Sequence, residues 1–206
     1  GGVLEPDGTG SHTQSVPNGF GLIFKPEDLP EELKKYAIDP TSLGIQYGAP
    51  FSQSLTGPNS GGWIDFVGDE PGQCTELAAT LNYALWEKDG GHFVNVQGNG
   101  KQVAGNIASQ LGISVSNTPK TGAVFSTSYS NEYGHVGIIS HVFENGDVLL
   151  IEQNISKYSG ASNGTPNTWD YRLVSKASYG SEFDSGFTCL SDAGYTMVKG
   201  VKTLGK

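Results

Sequence analysis

The pattern of apolar positions divides the chain into an aperiodic opening, a helical middle and a strand-rich remainder. Leu77, Ala78, Leu81, Ala84 and Leu85 recur three and four apart, which predicts an amphipathic helix beginning at Cys74, with Glu76 and Asn82 off the apolar stripe. Val103, Ala104, Ile107, Ala108 and Leu111 repeat that spacing and predict a second helix over about 101–111. Beyond it the spacing becomes strand-like. Ala123–Phe125, His135–Phe143, Val148–Ile155, Trp169–Val174 and Tyr195–Val201 are apolar runs separated by glycine or polar turns. Asn145-Gly146 lies between two of these runs and predicts a two-residue hairpin turn. Two helices followed by an antiparallel meander is an α+β arrangement.

The first 19 residues are rich in Gly, Ser, Thr and Pro and read as a flexible arm. Pro26 to Leu33 predicts a short helix, acidic in its first turn and followed by Lys34-Lys35. The Gly57-Pro58-Asn59-Ser60-Gly61-Gly62 stretch is the clearest break. The expected division is therefore residues 1–62 as arm and N-terminal extension and residues 63–206 as one catalytic domain, a size one core can fill. The chain opens Gly1-Gly2-Val3-Leu4 without methionine, so it is expected to be a region of a longer protein whose export signal lies elsewhere.

Apolar residues make up only 36% of the chain, but 30 glycines with many Asn, Ser and Thr replace them, as in a loop-rich globular protein rather than a disordered one. No apolar run is long enough for a membrane span. The net charge of −9 argues against nucleic acid as a partner, because phosphate binding needs clustered Lys and Arg. Two cysteines, Cys74 and Cys189, make no disulfide framework. They could pair in an exported protein, but a working thiol at Cys74 excludes that pairing and leaves Cys189 as a packed thiol.

Cys74 sits where the unpaired N–H groups of a helix start and the helix dipole favour negative charge, and a thiolate is the nucleophilic form of cysteine. Buried cysteines are more often inert core residues, so a base and an orienting group must be found elsewhere. With Asn145 and Gly146 as the turn, Ile139 faces Glu152, Gly137 faces Asn154 and His135 faces Ser156. His135, Glu152 and Asn154 then share one sheet face. By register Asn154 is diagonal to His135 and the nearer orienter, while Glu152 would need a bulge or twist to reach it. A histidine takes the thiol proton and returns one to the leaving amine; an Asn or Glu fixes its tautomer.

Gly72-Gln73-Cys74-Thr75, Gly98-Asn99-Gly100 with Ala104, Pro119 to Phe125, Gly134-His135-Val136-Gly137-Ile138 and Glu152-Gln153-Asn154 with Tyr158 together resemble a CHAP domain, the cysteine, histidine-dependent amidohydrolase/peptidase. The resemblance runs from about Trp63 to Arg172. It implies a papain-like α+β fold and hydrolysis of peptidoglycan amide bonds, within the stem peptide or cross-bridge or between muramic acid and alanine. It implies Cys74 as nucleophile, His135 as base, Glu152 as the usual third member and Asn154 as helper, which reverses the ranking from register. The Cys74 backbone N–H is the natural oxyanion donor, and the Gln73 side chain a second.

Some family members hold calcium in an acidic loop before the cysteine, but Asp65, Asp69 and Glu70 lack the tight alternation of such a loop. No zinc-type Cys/His spacing exists either, so neither metal nor cofactor is expected. Tyr133, Trp169 and Tyr171 border the expected cleft, with Tyr133 and Trp169 the candidates for substrate contact; Trp63 and Trp86 read as packing. Ser159 to Thr168 reads as a cleft rim. The location expected is extracellular, at the cell wall, with targeting or anchoring left to other domains. Secretion or conjugation proteins are the expected further partners, and conjugation muralytic subunits or phage lysins the closest contexts. Two other readings stand beside this one: an amidase acting on a small amide outside the wall, and an inactive wall-binding module.

Overall fold

A computed structural model describes residues 1–16, 21–48, 72–95, 98–128, 131–155, 165 and 168–206. Among these the strands are β1 (Leu22–Phe24), β2 (Ile38–Asp39), β3 (Trp86–Glu87), β4 (Val124–Thr127), β5 (His135–Val142), β6 (Val148–Glu152), β7 (Asp170–Val174), β8 (Phe187–Thr188), β9 (Thr196–Met197) and β10 (Lys202–Thr203). The helices are α1 (Glu31–Lys34), α2 (Cys74–Leu85), α3 (Gly100–Leu111) and α4 (Tyr179–Glu182). One sheet dominates, in the order β1-β7-β6-β5-β4-β8, with antiparallel pairing throughout. The architecture is α+β, and it agrees with the helices and the meander that the apolar spacing predicts.

Every residue of β4, β6 and β7 is buried, so the centre of the sheet is covered on both faces. That explains why Val148-Leu149-Leu150-Ile151 reads as a continuous apolar run and not as an alternation. α2 is buried on all sides as well. It packs on β5 and against the 3-10 turn Pro40–Leu43, so its off-stripe positions find polar partners and not water. Thr80 Oγ1 donates to the Glu76 carbonyl at 2.5 Å, and Asn82 Nδ2 donates to Asn95 Oδ1 at 2.8 Å. A helix covered all round has no solvent face, and here the amphipathic expectation fails for that reason.

The division expected near residue 63 lies in a stretch outside the described residues, as do Trp63, the Gly57–Gly62 break and the acids Asp65, Asp69 and Glu70. The N-terminal extension before that stretch packs on the rest of the chain. β1 adds an edge strand to the main sheet through Leu22–Leu173, Ile23–Arg172 and Phe24–Tyr171. Leu29, Leu33, Tyr36, Ala37, Ile38 and Ile45 are all buried in the same core as β5 and β6. The two ends of the chain are joined: β2 pairs with β10, Gly2 bridges Thr203, and the Leu204 and Gly205 N–H groups donate to the Ala37 and Lys34 carbonyls.

The β5–β6 hairpin departs from the two-residue turn. Phe143 N–H donates to the Asp147 carbonyl and Val142 pairs with Val148, so the turn holds Glu144, Asn145 and Gly146, the last with φ +88. A three-residue turn ending in a left-handed glycine is the next commonest hairpin solution. A second irregularity follows between Ile139 and His141, where Ser140 is the extra residue of a bulge. Ser140 is held there by the N-terminal segment, donating from Oγ to the Tyr36 carbonyl at 2.6 Å and accepting from Ile38 N–H at 2.7 Å. Turn and bulge each move the pairing by one residue. The sum brings Glu152 opposite Gly137, the place the simpler register gives to Asn154.

Candidate active site

Three backbone features set the position of His135 at the start of β5. Asn131 Oδ1 accepts from the N–H groups of Tyr133 (2.8 Å) and Gly134 (3.1 Å), which folds the preceding loop into a tight turn. The first turn of α3 then abuts the strand, with Lys101 N–H donating to the Tyr133 carbonyl at 3.1 Å. A Cβ on Gly100 would lie 2.7 Å from the His135 Cα, so only glycine lets the helix start come this close. Ser126 locks the contact, donating to the Gly100 carbonyl at 2.8 Å and accepting from Ala104 N–H at 2.9 Å.

Glu152 ends β6 one pair from His135, on the same face. His135 Nε2 lies 2.8 Å from Glu152 Oε1, with the two residues 1% and 0% exposed. Gly137 stands between them on β5, and a Cβ there would come within 2.6 Å of the Phe125 ring. That ring leans over the glycine and flanks the imidazole, with centroids 6.0 Å apart. The turn and the bulge therefore make Glu152 the carboxylate in contact with His135. Asn154 follows two residues later, half-buried, with φ +59, a backbone state that Asn tolerates better than most residues.

Cys74 is the first residue of α2 and is half-buried, and its thiol is near enough to the His135 imidazole to raise the ring's proton affinity. Since Nε2 is engaged by Glu152, Nδ1 is the ring nitrogen left to the thiol. Burial alone would push His135 down, but the Cys74 thiol and the Glu152 hydrogen bond and charge outweigh it, and the imidazole is pushed up to about 9. Burial likewise raises Glu152, yet the Arg172 charge and the His135 contact win and hold the carboxyl down at about 2. The arrangement favours an imidazolium poised between a thiol and a carboxylate.

Gln73 precedes the helix, is exposed, and makes no side-chain cap bond; the Cys74 N–H is at the helix start, where no intrahelical partner exists. Tyr133 is 57% exposed beside His135. Trp169, expected to offer a platform, is 2% exposed instead and packs edge-on beneath Tyr47, which is 44% exposed. Tyr47 is the aromatic that solvent reaches on that side, and its place in the aperiodic 40–48 stretch gave no sign of it. Tyr171 is fully buried and donates to the Ile38 carbonyl at 2.6 Å. Trp86 is buried, donating to the Gly122 carbonyl. Ser156, Tyr158 and most of the Ser159–Thr168 rim lie outside the described residues.

Cys74 and Cys189 are both free thiols. Cys189 is buried near Thr121 and Ser191, and burial pushes its thiol up, which suits a packed residue. Among the described residues no group of three or more His, Cys, Asp and Glu side chains is placed to hold a metal. No helix among them is long and apolar enough to cross a membrane.

Two residues of this site escape a reading of the sequence. Arg172 and Glu182 are buried behind Glu152, Arg172 ion-paired to Glu152 and Glu182 ion-paired in turn to Arg172. A lone arginine inside the apolar run Trp169–Val174 was the available signal. Its relation to Glu152 depends on the β6–β7 register, which no local pattern reveals.

Residues 65–154 match the family model described as CHAP domain, and this part of the chain is a CHAP domain. The chain is 37% identical over 83 residues to staphylococcal secretory antigen ssaA2 of Staphylococcus aureus (strain NCTC 8325 / PS 47), covering 40% of this chain and 28% of the relative. It is 36% identical over 89 residues to staphylococcal secretory antigen SsaA of the same strain, covering 43% of this chain and 31% of the relative. The chain thus spans less than a third of the length of these curated relatives. Their names describe secreted proteins and say nothing of conjugation or phage lysis. The family is that of peptidoglycan-related amidases and peptidases.

Proposed function

We propose, from the premise that residues 65–154 are a CHAP domain, that the chain hydrolyses amide bonds of peptidoglycan with Cys74 as nucleophile, His135 as acid–base and Glu152 as orienter. The observation that carries the reading is the buried 2.8 Å contact of the His135 imidazole with the Glu152 carboxylate, with the half-buried Cys74 thiol on the other side of the ring. Such an arrangement does little for stability, because buried charges are held at a desolvation cost. It has the order that acyl transfer needs.

The Cys74 thiolate attacks the amide carbon, and the developing oxyanion lies near the helix start, where the Cys74 N–H can donate to it. His135 then gives its proton to the departing amine, leaving a thioester. Water, deprotonated by His135, attacks the thioester and releases the carboxylic acid with the thiol restored. Glu152 keeps Nε2 protonated, so that Nδ1 is the nitrogen exchanging protons with the thiol and the leaving group. Asn154 follows Glu152 closely enough to assist, and Gln73 is the second candidate for the oxyanion. The secreted relatives favour an extracellular place of action.

Purified sacculi incubated with the protein and scored for newly freed amines test the reading. Amine release by the native protein, and none by Cys74→Ala, is the expected result. Lysis that persists in the Cys74→Ala protein would overturn the assignment. Mass spectrometry of the released muropeptides separates endopeptidase from amidase cleavage.

A further inference from the structure

We propose that Arg172, which lies beyond the stretch matched by the CHAP model, is a positioning residue that fixes the Glu152 carboxylate against His135. The inference rests on the assignment of Cys74, His135 and Glu152 made above.

Arg172 is fully buried, and its guanidinium meets Glu152 along one edge: Nε donates to Oε2 at 2.6 Å and Nη2 to Oε1 at 3.0 Å. This two-point contact fixes the plane of the carboxylate as well as its distance. Oε1 is therefore shared, accepting from Arg172 on one side and from His135 Nε2 on the other. The orientation of the imidazole depends on the plane the arginine sets. Arg172 is itself braced, since its Nη1 donates to Glu182 Oε2 at 2.9 Å from α4.

Register explains why β7 can do this. Glu152 pairs with Asp170 and Leu150 with Arg172, so Arg172 is diagonal to Glu152 on the same sheet face. The charged or titratable groups around Glu152 are His135 from β5, Asp170 and Arg172 from β7, and Glu182 from α4 behind the arginine, with the Cys74 thiol beyond the histidine. A charged chain of this kind in a dry interior is poorly suited to stabilise a fold, because apolar residues of equal volume do as well or better. A lysine at 172 would keep the charge but lose the fork, since an ammonium is a point donor.

The test uses the full chain with carboxyl-labelled glutamate, in a Cys74→Ala background for titration and in the native background for kinetics. In Arg172→Met the Glu152 carboxyl signal should titrate at least about one pH unit higher, equivalent to a tenfold change in proton affinity. In the native background kcat should fall about tenfold to a hundredfold, less than loss of the acid–base group itself, with KM little changed. Arg172→Lys, which keeps the charge, should shift the titration less and recover part of kcat. Should Arg172→Met not fold, Arg172→Lys alone decides: it must still lower kcat, because the fork is gone. A Glu152 titration unmoved in folded Arg172→Met, or native kcat in Arg172→Lys, overturns the proposal. If the native protein releases nothing from any wall, the substrate reading fails, while the carboxyl titration still decides the role of Arg172.

Discussion

His135 and His141 occupy the same strand, six residues apart and both 1% exposed, yet they are driven in opposite directions. His135 is bounded by a carboxylate and a thiol and is pushed up to about 9. His141 is pushed down, first by burial; its Nε2 meets the Thr9 carbonyl at 2.8 Å, a contact that only partly offsets that burial, and its ring lies between Tyr36 and Phe143. Burial alone therefore does not determine the charge of a histidine. A carboxylate in direct contact does, while a carbonyl contact with the Asp7 and Glu5 charges beyond it does not offset burial at His141. The Ser140 bulge separates the two residues. His141 pairs with Leu149 and so faces away from His135, although unbroken alternation would place both on one side.

The largest effect that sharpens this contrast is expected from Cys74→Ala. Hydrolysis should fall to background while the melting temperature stays near that of the native protein, because the thiol carries little packing; a wall-digestion assay beside a thermal scan measures both. Next is Glu152→Gln, with kcat lower by about 10² to 10⁴, the usual worth of acid–base catalysis. Removing the carboxylate charge also lowers His135, so the alkaline limb of the pH–rate profile should move below about 9.

Stability should respond with opposite signs at the two histidines. His135 is raised on folding, so its contribution is fully present below the unfolded value near 6.5 and is lost as pH rises through about 9. Glu152 is lowered, so its contribution is present above about 4.5 and is lost as pH falls towards about 2. His141 is also lowered, and because it is a base its depressed value means that stability falls as pH drops below about 6.5. Denaturant titrations of native protein and His141→Gln across that range would separate them: only the native protein should carry the slope from His141.

Smaller effects are expected at the bulge. Ser140→Ala leaves the Tyr36 carbonyl and Ile38 N–H without their partner, at about 1–3 kcal/mol by chemical denaturation. His141→Gln, which loses the ring contacts but can still donate to Thr9, should cost about 1 kcal/mol and leave the pH–rate profile unchanged. A profile that shifted in His141→Gln would break the comparison.

The legible parts of the molecule are those whose signals are local. α2 and α3 are visible in apolar spacing, the candidate nucleophile in its place at a helix start, and the hairpin in Asn145-Gly146. The contact of Glu152 with His135 was not legible from register. One extra residue in the turn and one at Ser140 displaced the pairing by two, which keeps the face and changes the neighbour; resemblance to a family named Glu152 where counting residues favoured Asn154. The bulge itself depends on Ser140 meeting Tyr36 and Ile38, more than 100 residues away in sequence. β1, β2, β3 and β10, two or three residues each, are too short to carry a period. Their pairing partners define them.

The joined ends of the chain have a mechanical consequence. Gly2 bridges Thr203, and β2 lies beside β10, so a load applied through residues near both ends falls first on this short ladder. The N-terminal segment is also tied to the main sheet, through Gly8 N–H to the Val142 carbonyl and through β1 on β7, so a load entering at that end passes into the sheet once the Gly2 bridge opens.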